Sequence, residues 1–118
     1  MPDDAGKDMK ERLRADLRAA MKNGRTIEAK VLRALVAALD NAEAPPAEAA
    51  RTAPVHHRFH EGSAEVERLR MSSSDVRDIL LAEIDDRERA ADEMDRLKQT
   101  DRAEALRAEA LLARRYLP

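Results

Sequence analysis

The stretch MSSSDVRDILLAEIDDRERAADEMDRLKQ, residues 71–99, decides the fold. Ser72 fits a helix cap, and Asp75 follows at the spacing of a capping box, with Asp in place of Glu. Met71 before the cap and Val76 four residues into the helix have the spacing of a hydrophobic staple. Val76, Ile79, Leu80, Ile84, Ala91, Met94 and Leu97 then recur with helical periodicity to about Gln99. Asp, Glu and Arg crowd the opposite face. The reading is a long, solvated, amphipathic helix.

Downstream, Thr100 or Asp101 is expected to cap one more helix, with Leu106, Leu111 and Leu112 as its buried stripe. Upstream, Met9, Leu13, Leu17 and Met21 recur every four residues from about Asp4 to Asn23. Asn23-Gly24 is a C-terminal stop, because Gly accepts the left-handed conformation that closes a helix. A further helix begins behind it. Thr26 is its expected cap, Glu28 sits in its first turn, and Ile27, Val31, Leu32, Leu35, Val36 and Leu39 form its apolar stripe. Asp40-Asn41 and then Pro45-Pro46 end it.

The short Asn23-Gly24-Arg25 connection predicts an antiparallel hairpin. The expected fold is therefore all-α: two antiparallel helical hairpins in a small four-helix bundle, with a long loop between helices 2 and 3. The chain divides into a first hairpin over residues 1–43, an irregular connection over 44–71, and a second hairpin over 72–118. Pro45, Pro46, Pro54 and Gly62 punctuate the connection, and Glu65 to Arg70 suggests a helical turn within it.

Composition agrees with this picture. The chain has 118 residues, 43% hydrophobic but rich in alanine, and 39% charged. One Phe, one Tyr and no Trp leave little for a thick core or a sheet. A single domain with a thin aliphatic core is the expectation. The absence of cysteine excludes disulfides, thiolate metal sites and cysteine nucleophiles. No apolar run approaches a bilayer-spanning length, so no membrane role is expected. The opening Met1-Pro2-Asp3-Asp4 does not read as a secretory signal, and the expected compartment is the cytoplasm.

Net charge is −2, but the balance is uneven. From Lys7 to Arg25 seven basic residues face three acidic ones, whereas acids dominate from Asp75 to Glu109. Lys7, Lys10, Arg14, Arg18 and Lys22 follow a three-or-four spacing, and Arg25 extends the row past the turn. Lys10, Arg14, Arg18, Lys22 and Arg25 are the candidate contacts to a phosphate backbone. The alternative is a solvated face whose long side chains cover the core edge. No aromatic residue accompanies the row, so base stacking is not expected.

His56, His57 and His60 are the residues nearest to a metal motif, since His56 and His60 would share a face if helical. No distant third ligand is evident, and a polar loop with a chance histidine cluster is the favoured reading. Arg33 is expected to pair with an acid of the third helix, such as Asp78 or Glu83. Ser72-Ser73-Ser74 is a capping run without a paired base, and three glycines supply no nucleotide cradle. No catalytic residues, no cofactor and no small-molecule substrate are expected.

Several of these pieces, taken in order, resemble the YqeY-like family. They are Ala20-Met21-Lys22 behind Asp16, the Leu32-Arg33 pair, the Ser-capped Glu/Arg-rich third helix with Glu83-Ile84-Asp85-Asp86-Arg87, the polar break Thr100-Asp101-Arg102-Ala103-Glu104, and the final Tyr116-Leu117-Pro118. The likeness spans most of residues 7–43 and 71–118. The connection from about Pro45 to Arg70 is longer than that family's usual one. The family is similar to the tail of the tRNA-dependent amidotransferase B subunit. The resemblance therefore implies a non-catalytic helical module, with tRNA or an amidotransferase-type protein as partner. A protein-interaction or homodimerisation module without a nucleic-acid role is the alternative.

Overall fold

A computed structural model describes residues 4–44 and 70–118. Four helices account for nearly all of them: α1 (Ala5–Lys22), α2 (Thr26–Glu43), α3 (Ser73–Arg96) and α4 (Thr100–Arg114), with no strand among the described residues. The expected connection over 44–71, including the turn over Glu65 to Arg70, lies almost wholly outside them.

The caps follow local chemistry. The Asp4 side chain accepts from the Lys7 backbone N–H at 3.1 Å and closes the start of α1. Ser72 and Asp75 form the full reciprocal capping box of α3. Met71 and Val76 are both buried, as a staple requires. The expected threonine caps are different. Arg25 and Gln99 occupy the cap positions of α2 and α4 and give no side-chain cap bond, while Thr26 and Thr100 are already helical. The reason is the tightness of the preceding turns, which leave three residues between helices. Helix α2 runs past Asp40-Asn41 to Glu43 and stops at Ala44, whose extended conformation (φ −73°, ψ 145°) is the one a residue before proline prefers.

Both turns close in the same way. Arg25 N–H donates to Ala20 C=O at 2.8 Å and Gly24 N–H to Met21 C=O at 3.3 Å; Gln99 N–H donates to Met94 C=O at 2.7 Å and Lys98 N–H to Asp95 C=O at 2.9 Å. These are Schellman closures, which need a left-handed residue after the helix. Gly24 supplies it at φ 70°, and Lys98 supplies it at φ 60°. A side chain in that region costs about 1 kcal/mol.

α1 packs on α2, and α3 on α4; α2 touches both helices of the second hairpin, and α1 reaches α3. The buried seam of α1 is Gly6, Lys10, Leu13 and Ala20, with Leu17 half-buried between the last two. Its spacing alternates four and three, which keeps pace with 3.6 residues per turn. A strict spacing of four gains about 40° per step, so the row Met9, Leu13, Leu17, Met21 rotates off the core. Met21 ends 56% exposed, and Ala20 takes its expected place. Ile27 and Leu111 are likewise exposed, at 55% and 67%. Helix α4 buries Ala103, Leu106, Glu109, Ala110 and Ala113 instead. The alanines let the second hairpin close tightly.

Two apolar clusters result. The larger joins both hairpins around Leu13, Leu32, Leu35, Leu39, Val76, Leu80 and Ile84. The smaller holds Ala91, Ala103 and Leu106, all from α3 and α4. Glu109 marks the boundary between them. Lys30, in the second turn of α2, reaches its carboxylate at 3.2 Å, and Arg87 of α3 approaches it at 3.4 Å. From Arg87 to the turn at Leu97, about 15 Å of helix, the second hairpin projects away from the larger cluster. Arg107 ties the two limbs of this projection, at 3.0 Å to Asp92 and 2.7 Å to Asp95.

The opposite end is tied twice. Ala5 N–H donates to Met71 C=O at 3.0 Å, and a Cβ on Gly6 would lie 2.8 Å from a Glu43 carboxylate oxygen, so glycine is what admits this approach. Tyr116 folds back onto α1, where its hydroxyl donates to Asp16 at 2.7 Å and the Arg12 guanidinium stands 4.6 Å from the ring centre. Burial, with the Asp16 hydrogen bond adding to it, pushes the Tyr116 phenol up to about 12. A raised folded pKa favours the protonated form. The stability it contributes is present below pH about 10 and is lost as pH rises from about 10 through 12. Tyr116→Phe should abolish this component. Urea unfolding at pH 8 and pH 11 should show the wild type losing on the order of 1 kcal/mol more than the variant; parallel losses would contradict it.

Candidate polyanion-binding surface

The five cations of the sequence row separate into two groups. Lys10 is buried at 7% exposure, with its ammonium on Asp40 at 3.0 Å and in contact with Glu43. Burial is the largest influence on it and acts to lower its pKa, but the Glu43 and Asp40 hydrogen bonds outweigh this and hold it above the usual lysine range. Lys10 is thus part of the hairpin's interior and not of the exposed row. It falls there because it occupies the seam between Gly6 and Leu13. Arg14 is exposed and lies 3.7 Å from Asp40, a loose contact.

Arg18, Lys22 and Arg25 stand together at the turn end of the first hairpin, all exposed. Among the described residues no ion pair holds Arg18 or Lys22, and Arg25 has only a loose 3.7 Å approach to Glu28. The structure adds Arg33. The sequence predicts that it pairs with Asp78 or Glu83, and it pairs with neither. Glu83 is engaged 3.1 Å away by Arg87, one turn along its own helix, and Arg33 points outward from α2. With Arg25 it rims an open groove of about 230 Å³, whose floor is Ala20, Gly24 and Ala29 and whose wall is Met21. A Cβ on Gly24 would meet nothing within 4 Å, so the groove is open above the turn. Arg33 was detectable in principle: it follows Ala29 at i+4 and so shares that residue's face. Its membership depends on how α1 and α2 cross, which spacing does not encode.

Elsewhere some cations are neutralised and others are not: among the described residues Lys7, Lys98, Arg102 and Arg115 are exposed and also stand outside any ion pair. Arg89, Arg96, Arg107 and Arg114 each contact a carboxylate at the surface of the second hairpin. His56, His57 and His60 lie outside the described residues, and among those described no group of acids and histidines is arranged to hold a metal. No described helix is long and apolar enough to cross a membrane. No family model, curated protein or solved structure matches the chain.

Proposed function

We propose that the protein is a non-catalytic helical module that engages the phosphate backbone of an RNA of the tRNA type through the turn end of its first hairpin. The observation that carries this reading is the group Arg18, Lys22, Arg25 and Arg33, all exposed, with the loose Arg25–Glu28 contact its one ion pair among the described residues. Phosphates are the natural complement of such a group, because each contact releases condensed counterions. The likeness to the YqeY-like family, and through it to the amidotransferase B tail, supports the same partner and a cytoplasmic setting. The projecting second hairpin, acidic along α3, would repel an RNA and so restrict it to the first turn.

The test is a titration of the full chain with bulk tRNA at two salt concentrations. Three to four phosphate contacts predict a log–log salt slope near −3. The double reversal Arg18→Glu and Lys22→Glu should remove measurable binding while circular dichroism stays unchanged, since both side chains are exposed. Unchanged affinity, or no binding by the wild type at low salt, would sink the proposal. Sedimentation of the same samples would then show whether the chain self-associates.

A further inference from the structure

We infer that the outward face of α4 is a self-pairing surface, against which a second copy of this chain lays its own α4 in the antiparallel sense. The order of residues along that face sets the occupant. None of them belongs to the RNA-binding group.

Helix α4 carries apolar residues on two sides. It buries Ala103, Leu106, Ala110 and Ala113. Leu111, expected in the same stripe, is turned away from them and is 67% exposed, the most of any large hydrophobic residue described. At 100° per residue, Glu104, Ala108, Leu111 and Arg115 fall within about 60° of one another. All four are exposed. Arg115 keeps helical backbone angles (φ −59°, ψ −21°) and so continues the row. The spacing of four, three and four is that of a coiled-coil seam. Charge decides what covers it. Among the described residues no ion pair holds Glu104 or Arg115, whereas the flanking Arg107 and Arg114 are engaged by carboxylates of α3. A parallel copy would set Glu104 against Glu104 and Arg115 against Arg115, which like charges oppose. An antiparallel copy, related by a two-fold axis level with residues 109–110, sets Glu104 of each chain against Arg115 of the other. The same axis sets Leu111 of each against Ala108 of the other, a large side chain against a small one. The contact is isologous and closes at two copies. A single helix face about 17 Å long covers less than the roughly 800 Å² per partner of a standard interface, so the dimer is weak and forms with rising concentration.

The experiment is sedimentation equilibrium of the full chain without RNA, from roughly 10 μM to 1 mM, the range in which a weak contact fills. A monomer–dimer equilibrium is expected. Leu111→Ser should weaken it roughly tenfold or more. Glu104→Arg and Arg115→Glu should each abolish it, because each sets like charges together at both ends of the contact. The double variant should dimerise again, and so should an equimolar mixture of the two single variants. All three positions are exposed, so circular dichroism should stay unchanged. A wild type that is monomeric at every concentration overturns the inference, and so does a dimer that none of the single variants weakens. Either result leaves the RNA reading where it stands, because no RNA is present and the two groups of residues share no member.

Discussion

Lys10→Ala is expected to lower the unfolding free energy by about 3 kcal/mol. The lysine is one of three buried charged residues in the described structure, with Glu43 and Glu109. Its ammonium contacts Glu43, only 3% exposed, and lies 3.0 Å from Asp40. Desolvating these charges is tolerable because they face each other. Removing the cation leaves the Glu43 carboxylate in the same low-dielectric site without the ammonium that faces it, and that asymmetry makes breaking a buried pair costly. Lys10→Met restores packing but not charge, so it should recover little. Lys10→Met combined with Glu43→Leu removes both charges of the buried pair and should recover part of the loss. Urea unfolding at pH 7 measures all three. A single-variant loss under about 1 kcal/mol would show that the pair is hydrated and unimportant. The pH sign is also fixed. The raised lysine pKa contributes stability that is present below pH about 10.5 and is lost as pH rises through the folded value. Lys10 variants should alter RNA affinity only through the folded fraction.

Leu80→Ala should cost about 3–4 kcal/mol, and Leu106→Ala only about 1–2. Leu80 is fully buried in the cluster that joins both hairpins, so its cavity is walled by two hairpins that collapse poorly together. Leu106 is 7% exposed in the small cluster made by α3 and α4 alone. Its neighbours are mostly alanines on two helices free to move toward each other. The projecting end should also open without the rest, because its few apolar contacts are local. Hydrogen exchange should find amides of residues 88–108 less protected than those of 76–84, with Leu106→Ala lowering only the former. Equal losses in the two variants, with uniform protection, would mean that the two clusters act as one.

Much of the fold was legible before any tertiary contact. The Ser72–Asp75 capping box, the staple of Met71 and Val76, and the Asn23-Gly24 stop are local signals, each satisfied within a few residues, and each stands as expected. The short turn at residues 23–25 makes the first hairpin antiparallel regardless of its surroundings. The second turn was less legible. It uses Lys98 where glycine is the usual residue, so nothing in the composition marks the left-handed position.

The finer assignments depended on rotation about the helix axis. A spacing of four suggested a core row ending at Met21, but the seam follows the alternation of four and three and ends at Ala20. The same rotation placed Lys10 inside and left Arg18 and Lys22 outside, although all three belong to one basic row in the sequence. Periodicity locates a residue on its own helix to within some tens of degrees. Burial is decided by where the neighbouring helix lies, and a 40° error is enough to exchange a buried position for an exposed one. Arg33 is the same case on α2. By itself the sequence determined four helices, their two hairpin pairings and a surplus of positive charge near the first turn, because these follow from local hydrogen bonding and chain connectivity. Only the tertiary structure decided which cations remain exposed, that they surround a groove, and that the second hairpin projects away from the larger cluster, because these depend on contacts between segments far apart in the chain.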